Sequence, residues 1–296
     1  MMDKPQIIGL GLSGLVGTRI AQLLSDQYDI IPLGRSAGVD ITDKKTLEIL
    51  NNYKDARIVL HLAGKTDVDG CEQDKNLGEE GDAWKINVAG TQNIHDACSA
   101  LGKKIIYFST DFVFDGKKPE GDSYLEEDKP NPQIWYAKTK YEGEKIVNDG
   151  TNLIIRIAYP YRARFEQKPD FMRFIKEKLE KGEEIKVVID QIFCPTFIDD
   201  IAKALEVLIK NDASGIYHAV GSEALTPFEA ATKISTVFGL DKNLIGQTTR
   251  TEFFKDRAPR PFNSALRNDK IERLGVRMRG FSEGLLSVKS QLNQPL

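Results

Sequence analysis

Residues 6–17 read QIIGLGLSGLVG, an apolar run that breaks into glycines and resumes as one face of a helix. The stretch 6–10 suits a short buried strand, and within 15–25 Val16, Ile20, Leu23 and Leu24 recur at helical spacing. A glycine loop at that junction turns the backbone tightly and lets N–H groups approach an anion. The start of the helix adds positive potential. The spacing GxGxxG (Gly9, Gly11, Gly14) is weak by itself, and GxxGxxG (Gly11, Gly14, Gly17) overlaps it. Between a strand and a helix, both point to the pyrophosphate of a dinucleotide.

The alternation then continues. Strands are predicted over 30–33, 57–62, 104–109 and 152–157, and helices over 44–52, 83–101 and 136–148. Strands that alternate with helices imply parallel βαβ units, right-handed crossovers and a sheet covered on both faces. The expected class is α/β, a doubly wound parallel sheet of Rossmann type with a smaller C-terminal substrate lobe. After Tyr159 prolines and arginines interrupt the pattern. Helices are expected over 170–181, 197–210 and 226–238, and strands over 185–188 and 216–220. The dinucleotide domain is drawn as 1–158 with returning segments at about 185–211, and the substrate lobe as 159–184 and 212–296.

Composition excludes several classes. With 41 Lys+Arg against 44 Asp+Glu, net charge −3, nothing draws the chain to nucleic acid or an anionic membrane. The 250–279 stretch is locally basic, which fits either a solvated surface or a docking site for a substrate diphosphate. Cys71, Cys98 and Cys194 form no CxxC pair, and His61, His95 and His218 have no ligand spacing, so neither a disulfide framework nor a metal is expected. No leader-like segment opens the chain and no apolar run approaches the ~18 residues of a membrane span. A cytoplasmic protein is expected.

At the end of the second strand, where an acidic residue would hold a ribose 2′-hydroxyl, the chain reads Leu33-Gly34-Arg35-Ser36. Arg35 suits a 2′-phosphate, so NADP(H) is the expected cofactor, with NAD(H) as the alternative. Tyr136 and Lys140 are one helical turn apart in WYAKTKYEGEKIV. Their Cβ atoms should lie roughly 6 Å apart. At an effective dielectric near 20 the ammonium would favour phenolate by about 3 kcal/mol, lowering the tyrosine pKa by about two units. Such a phenol can protonate a carbonyl oxygen as hydride reaches its carbon. Thr110, at the end of the fourth strand, can either hydrogen-bond the same oxygen or simply cap the strand.

Several motifs carry a resemblance: GLSGLVG at 11–17, VDITD at 39–43, KTDVD at 65–69, INVAGTQN at 86–93 and STDFVFDG at 109–116. EEDKPNPQIWYAKTKYEGE at 126–144, DQIFCPT at 190–196 and RPFNSAL at 260–266 complete the set. The chain resembles the extended short-chain dehydrogenase/reductases, and within them the dTDP-4-dehydrorhamnose reductase family, over nearly its whole length. The resemblance implies that Thr110, Tyr136 and Lys140 are catalytic. It implies that Gly11, Ser13, Gly14, Leu15, Val16 and Gly17 hold the cofactor, together with Arg35, Asp40, Ile41, Leu62, Ala63, Gly64, Thr66, Asn87, Ser109, Tyr136 and Lys140. Val68, Thr110, Phe112, Tyr159 and Arg260 would face a nucleotide-diphosphate sugar, although Val68, Phe112 and Tyr159 also suit core packing.

The implied reaction is NAD(P)H-dependent reduction of the 4-keto group of a nucleotide-linked 6-deoxy sugar, by an enzyme compatible with a homodimer. Four departures surround the sugar, one of them His61-Leu62-Ala63-Gly64 in place of an Asn-Ala-Ala-like stretch. Phe112 stands where that family has tyrosine, Tyr159 where it has tryptophan, and Phe193 where it has glycine. Asp111-Phe112 lacks the acid–base Asp-Glu pair of the related 4,6-dehydratases, which disfavours dehydration. The alternatives are another sugar-nucleotide epimerase or reductase, or a cofactor-binding regulatory subunit like the beta subunit of methionine adenosyltransferase.

Overall fold

The structure is a computed structural model and describes residues 4–294. Strand β1 (Gln6–Leu10) is central, with β2 (Asp29–Leu33) on one side and β3 (Ile58–His61) on the other, both parallel to it. β4 (Lys104–Thr110) pairs in parallel with β3, then come β5 (Leu153–Ile157) and the strand Gly215–His218. The parallel sheet therefore has six strands in the order β2-β1-β3-β4-β5 and Gly215–His218. The chain leaves β1 first toward β2 and then toward β3. That reversal opens a crevice at the carboxyl ends of β1 and β3, where doubly wound sheets bind ligands.

The crossover segments pack Leu47, Leu50, Ile94, Cys98 and Val147 against Ile8, Val59, Ile105 and Ile154 of the strands. Two segments depart from simple helix. Lys44–Asn52 winds as a 3₁₀ helix begun by Asp43, whose side chain accepts from the Lys45 N–H. The run expected over 83–101 is helical over Asp82–Trp84 and Gly90–Ala100, with a wider π turn at Lys85–Ala89 between them. Such turns insert a residue and re-aim the side chains beside them; here the π turn carries Asn87.

The chain condenses into two compact units. The first comprises the described residues up to Val113, Pro130–Arg156 and Leu205–Tyr217; the second comprises Phe114–Lys129, Ile157–Ala204 and His218 onward. The boundaries differ from those expected. Phe114–Lys129, expected in the dinucleotide domain, belongs to the second unit, as does Ile185–Val188, which pairs in parallel with Ile245–Thr248. Gly215–His218, expected in the substrate lobe, is instead an outer strand of the main sheet, and the Gly215 N–H donates to the Asn152 carbonyl. Periodicity identifies a strand without identifying its neighbour, and the placements of Ile185–Val188 and Gly215–His218 differ from expectation for that reason.

The second unit has its own core, centred on Tyr161, Phe171, Phe193, Phe197 and Phe281. Its helices are begun deliberately. Asp170 caps Phe171–Glu180 by accepting from the Arg173 N–H, and Thr226 with Glu229 forms a capping box before Pro227–Phe238.

Candidate active site

The glycine loop divides its labour. Gly11 has φ +83°, and a Cβ there would lie 2.6 Å from the Ala63 Cα, so this turn tolerates no side chain. Gly17 likewise lets the helix Leu15–Leu24 sit on the loop, since its Cβ would meet the Leu12 Cα at 2.6 Å. Gly14 is different. Its nearest neighbour would be the Gly11 carbonyl at an ordinary 3.6 Å, and it starts the helix without a capping side chain or an acidic first turn. The space in front of this helix end is open. A Cβ on Gly9 would meet the Leu12 side chain at its Cδ1.

Beside the loop, Arg35 opens an exposed turn after β2. Asp40 accepts from the Thr42 N–H and hydroxyl at 2.9 and 2.8 Å, bonds that, with the Arg35 charge, hold its carboxyl below the usual range. Ile41 is buried and its carbonyl accepts from Asn93 Nδ2 at 2.9 Å. Leu62, Ala63 and Gly64 continue β3 under Gly11, and Thr66 is exposed.

Asn87 is a hub. Its Oδ1 accepts from the Lys65 N–H at 2.8 Å, and its Nδ2 donates to the Lys65 carbonyl and to Thr139 Oγ1, both at 3.0 Å. One amide thus ties the loop after β3 to the helix Trp135–Val147. Behind it, Thr91 Oγ1 donates to the Asn87 carbonyl and meets His61 Nε2 at 2.9 Å. Thr91 has one proton to give, so His61 Nε2 is the donor to it and Nδ1 is left as a buried acceptor with no partner. Burial, aided by the Lys140 charge, pushes the His61 pKa down to about 3. His61 is a neutral part of the core.

Thr110, Tyr136 and Lys140 come together at the carboxyl end of β4, all three buried. The Thr110 hydroxyl shares a hydrogen bond with the Tyr136 phenol, donates to Asp111 Oδ1 at 3.0 Å, and receives the Phe112 N–H. Phe112 closes edge-on against the Tyr136 ring, centroids 6.2 Å apart. The expected depression of the tyrosine pKa is overturned. Burial raises it well above its ordinary value, the Thr110 hydrogen bond offsets only part of that, and the carboxylate acting on it is Asp111, with no contribution from Lys140. Helical spacing alone sets the ammonium near the phenol and leaves out the cost of desolvating a phenolate. Burial instead lowers the Lys140 pKa to about 7, against the opposing pull of Glu144.

Lys140 Nζ lies 3.9 Å over the centroid of the Tyr107 ring. Tyr107 and the Glu144–Arg156 ion pair were not foreseen from sequence, because an aromatic in a buried strand and charges in a helix read as core and surface. Ser109 Oγ, beside Thr110, is buried without a partner. Val68 begins the short helix Val68–Gln73. The remaining expected contacts lie in the second unit. Tyr159 has the unusual φ of 40°, accepts from Gln191 Nε2 at 2.6 Å and packs on Phe193 with centroids 4.3 Å apart. The Arg260 guanidinium lies 4.8 Å over the Phe254 ring.

A glycine loop at the switch point of a parallel sheet, with a Tyr-x-x-x-Lys helix beside β4, places the chain among the short-chain dehydrogenase/reductases. Within that class it belongs to the RmlD substrate binding domain family, whose model matches residues 5–293. It is 30% identical over 287 residues to the Bacillus subtilis spore coat polysaccharide biosynthesis protein SpsK, covering 96% of each. It is 30% identical to a Sinorhizobium fredii dTDP-4-dehydrorhamnose reductase, over 92% of this chain and 93% of the other. Among solved structures it resembles the dTDP-4-dehydrorhamnose reductase of Bacillus anthracis in complex with NADP. That match has a TM-score of 0.88 at 29% identity and covers 97% and 99% of the two chains. Among the described residues no helix is long and apolar enough to cross a membrane, and no cluster of His, Cys, Asp and Glu could hold a metal.

Proposed function

We propose that the protein reduces the 4-keto group of a nucleotide-linked 6-deoxy sugar, of the dTDP-4-dehydrorhamnose kind, with NADPH. The observation that carries this is the buried Tyr136 phenol, hydrogen-bonded by Thr110 and followed one turn later by buried Lys140. The relatives named for that reaction support the same reading.

The residues fit a dinucleotide. Gly11 and Gly17 let the loop close on the backbone of Ala63 and Leu12, the uncapped and unobstructed helix start at Gly14 suits a pyrophosphate, and Ser109 Oγ is an orphaned buried hydroxyl beside Thr110. Arg35 would hold the 2′-phosphate and Asp40 and Ile41 would flank the adenine. Ala63, Gly64, Thr66 and Asn87 would line the path to the nicotinamide. When bound, the cofactor supplies the hydride.

The chain's own groups do the rest. With its pKa raised by burial, Tyr136 stays protonated at neutral pH and acts as the acid at the keto oxygen. Thr110 orients that oxygen, and Lys140 would hold the nicotinamide ribose. Asn87 fixes the loop and the helix to each other through Lys65 and Thr139. Val68 and Phe112, in the first unit, are the proposed sugar-nucleotide contacts.

The test is loss of NADPH absorbance on adding a dTDP-4-keto-6-deoxy sugar. Wild type should oxidise NADPH and Tyr136→Phe should be slower by about 10²–10⁴-fold, the usual worth of a general acid. Tight NADPH binding without oxidation by any nucleotide-sugar ketone would refute the enzyme and leave a binding subunit.

A further inference from the structure

Lys140 poses a physical problem. Its ammonium is buried, and among the described residues no carboxylate lies within ion-pairing distance of it. Glu144, four residues on in the same helix, is committed to Arg156 through two hydrogen bonds of 2.9 and 2.7 Å, so most of its charge is answered elsewhere. His61, reaching in from β3, is neutral, and Asn87 is uncharged. A buried cation with no anion beside it needs another partner.

Tyr107 supplies one at two points. Its ring face lies under the ammonium, centroid to Nζ 3.9 Å, and its hydroxyl donates to the Lys140 carbonyl at 3.3 Å. Gly143, one turn beyond Tyr136's neighbours on the helix, makes room. A Cβ there would lie 3.0 Å from the Tyr107 ring carbon that bears the hydroxyl and 3.0 Å from the Asn87 carbonyl. We propose that Tyr107 is a positioning residue for Lys140, its ring face keeping the buried lysine protonated and its hydroxyl fixing the helix turn from which the lysine extends. The proposal rests on the reading of Lys140 as part of the reductase site.

The ring quadrupole favours the ammonium over the neutral amine, and desolvation makes that preference large. Burial lowers the Lys140 midpoint to near pH 7 against the pull of Glu144, and the Tyr107 ring face 3.9 Å under the ammonium adds to what holds it up. Removing the ring face should lower that midpoint by about one pH unit, while removing only the hydroxyl should leave it within a few tenths.

The experiment follows the Lys140 side chain by NMR in protein carrying isotope-labelled lysine, with Lys140→Met to assign the signal. The full chain is titrated as wild type, Tyr107→Phe, Tyr107→Leu and Tyr107→Met. Methionine fills the space flexibly without a π face and serves if the leucine variant fails to fold. The proposal expects a midpoint lowered by about one unit in the leucine and methionine variants and unmoved in the phenylalanine variant, with the alkaline limb of kcat/KM moving in step. An unmoved midpoint in Tyr107→Leu or Tyr107→Met overturns it. The titration needs no turnover, so a wild type without reductase activity would sink the functional reading while the midpoint still decides the role of Tyr107.

Discussion

Arg156 grips Glu144 with two parallel hydrogen bonds, Nε to Oε1 at 2.9 Å and Nη2 to Oε2 at 2.7 Å, with both side chains almost wholly buried. The pair joins β5 to the helix that carries Tyr136 and Lys140. Desolvating two charges costs nearly what their attraction returns, so the intact pair adds little net stability, whereas half of it is costly. Glu144→Gln should therefore destabilise the first unit by about 3–5 kcal/mol. The double variant Glu144→Leu/Arg156→Met should recover most of that loss. Denaturant unfolding of the wild type and the two variants checks this; a double variant no more stable than the single one would refute it.

The glycines separate fold from ligand. Gly11→Ala places a side chain at φ +83° into the backbone of Leu62 and Ala63, and should both destabilise the protein and abolish NADPH binding. Gly14→Ala meets nothing closer than 3.6 Å, so its unfolding free energy should change by only about 1 kcal/mol, the scale of an N-cap replacement. Its NADPH affinity should nevertheless fall, because the added methyl group occupies the space in front of the helix end. Unfolding curves paired with NADPH fluorescence titrations measure the two effects separately. Equal loss of stability in both variants would remove the distinction.

How much of this was legible in the sequence depended on whether the signal was local. β1, the glycine loop and the helix after it are encoded within 6–25, and Tyr136 and Lys140 within one helical turn, so pattern alone recovered them. Tyr107 and Lys140 are 33 residues apart, and Glu144 and Arg156 lie 12 apart on different elements. Those partnerships exist only once the helix is laid on the sheet. The strand Gly215–His218 was visible as a strand, yet only its hydrogen bond to Asn152 tells which sheet it joins. The tyrosine pKa went wrong for the same reason, since helical spacing reports proximity and says nothing of burial.

Arg35 should decide between the two nicotinamide cofactors. It is exposed at the end of β2, and the nearby carboxylate of Asp40 is already engaged by Thr42. A charge-assisted hydrogen bond from a guanidinium to a phosphate is worth about 1.5–3 kcal/mol, or roughly 10–100-fold in affinity. Arg35→Ala should raise KM for NADPH by that factor with little change for NADH, and Arg35→Asp should reverse the preference. Steady-state kinetics with both cofactors gives the answer, and a variant that keeps the wild-type ratio would show that the 2′-phosphate is read elsewhere.

His61 should make the fold acid-sensitive. Its folded pKa of about 3 lies below the unfolded value of 6.5, so the unfolded chain binds more protons between those limits. Stability then rises with pH through that window and is flat above it, as far as this group is concerned. The penalty begins as pH falls below about 6.5 and reaches about 2 kcal/mol by pH 5, at 1.36 kcal/mol for each unit. His61→Asn cannot titrate and keeps an amide that can donate to Thr91. It should lose about 2 kcal/mol less than wild type between pH 7 and pH 5. Urea unfolding at the two pH values in each protein measures the difference directly. Parallel losses in the two proteins would mean that some other group takes up the proton and that His61 is not held neutral by its burial.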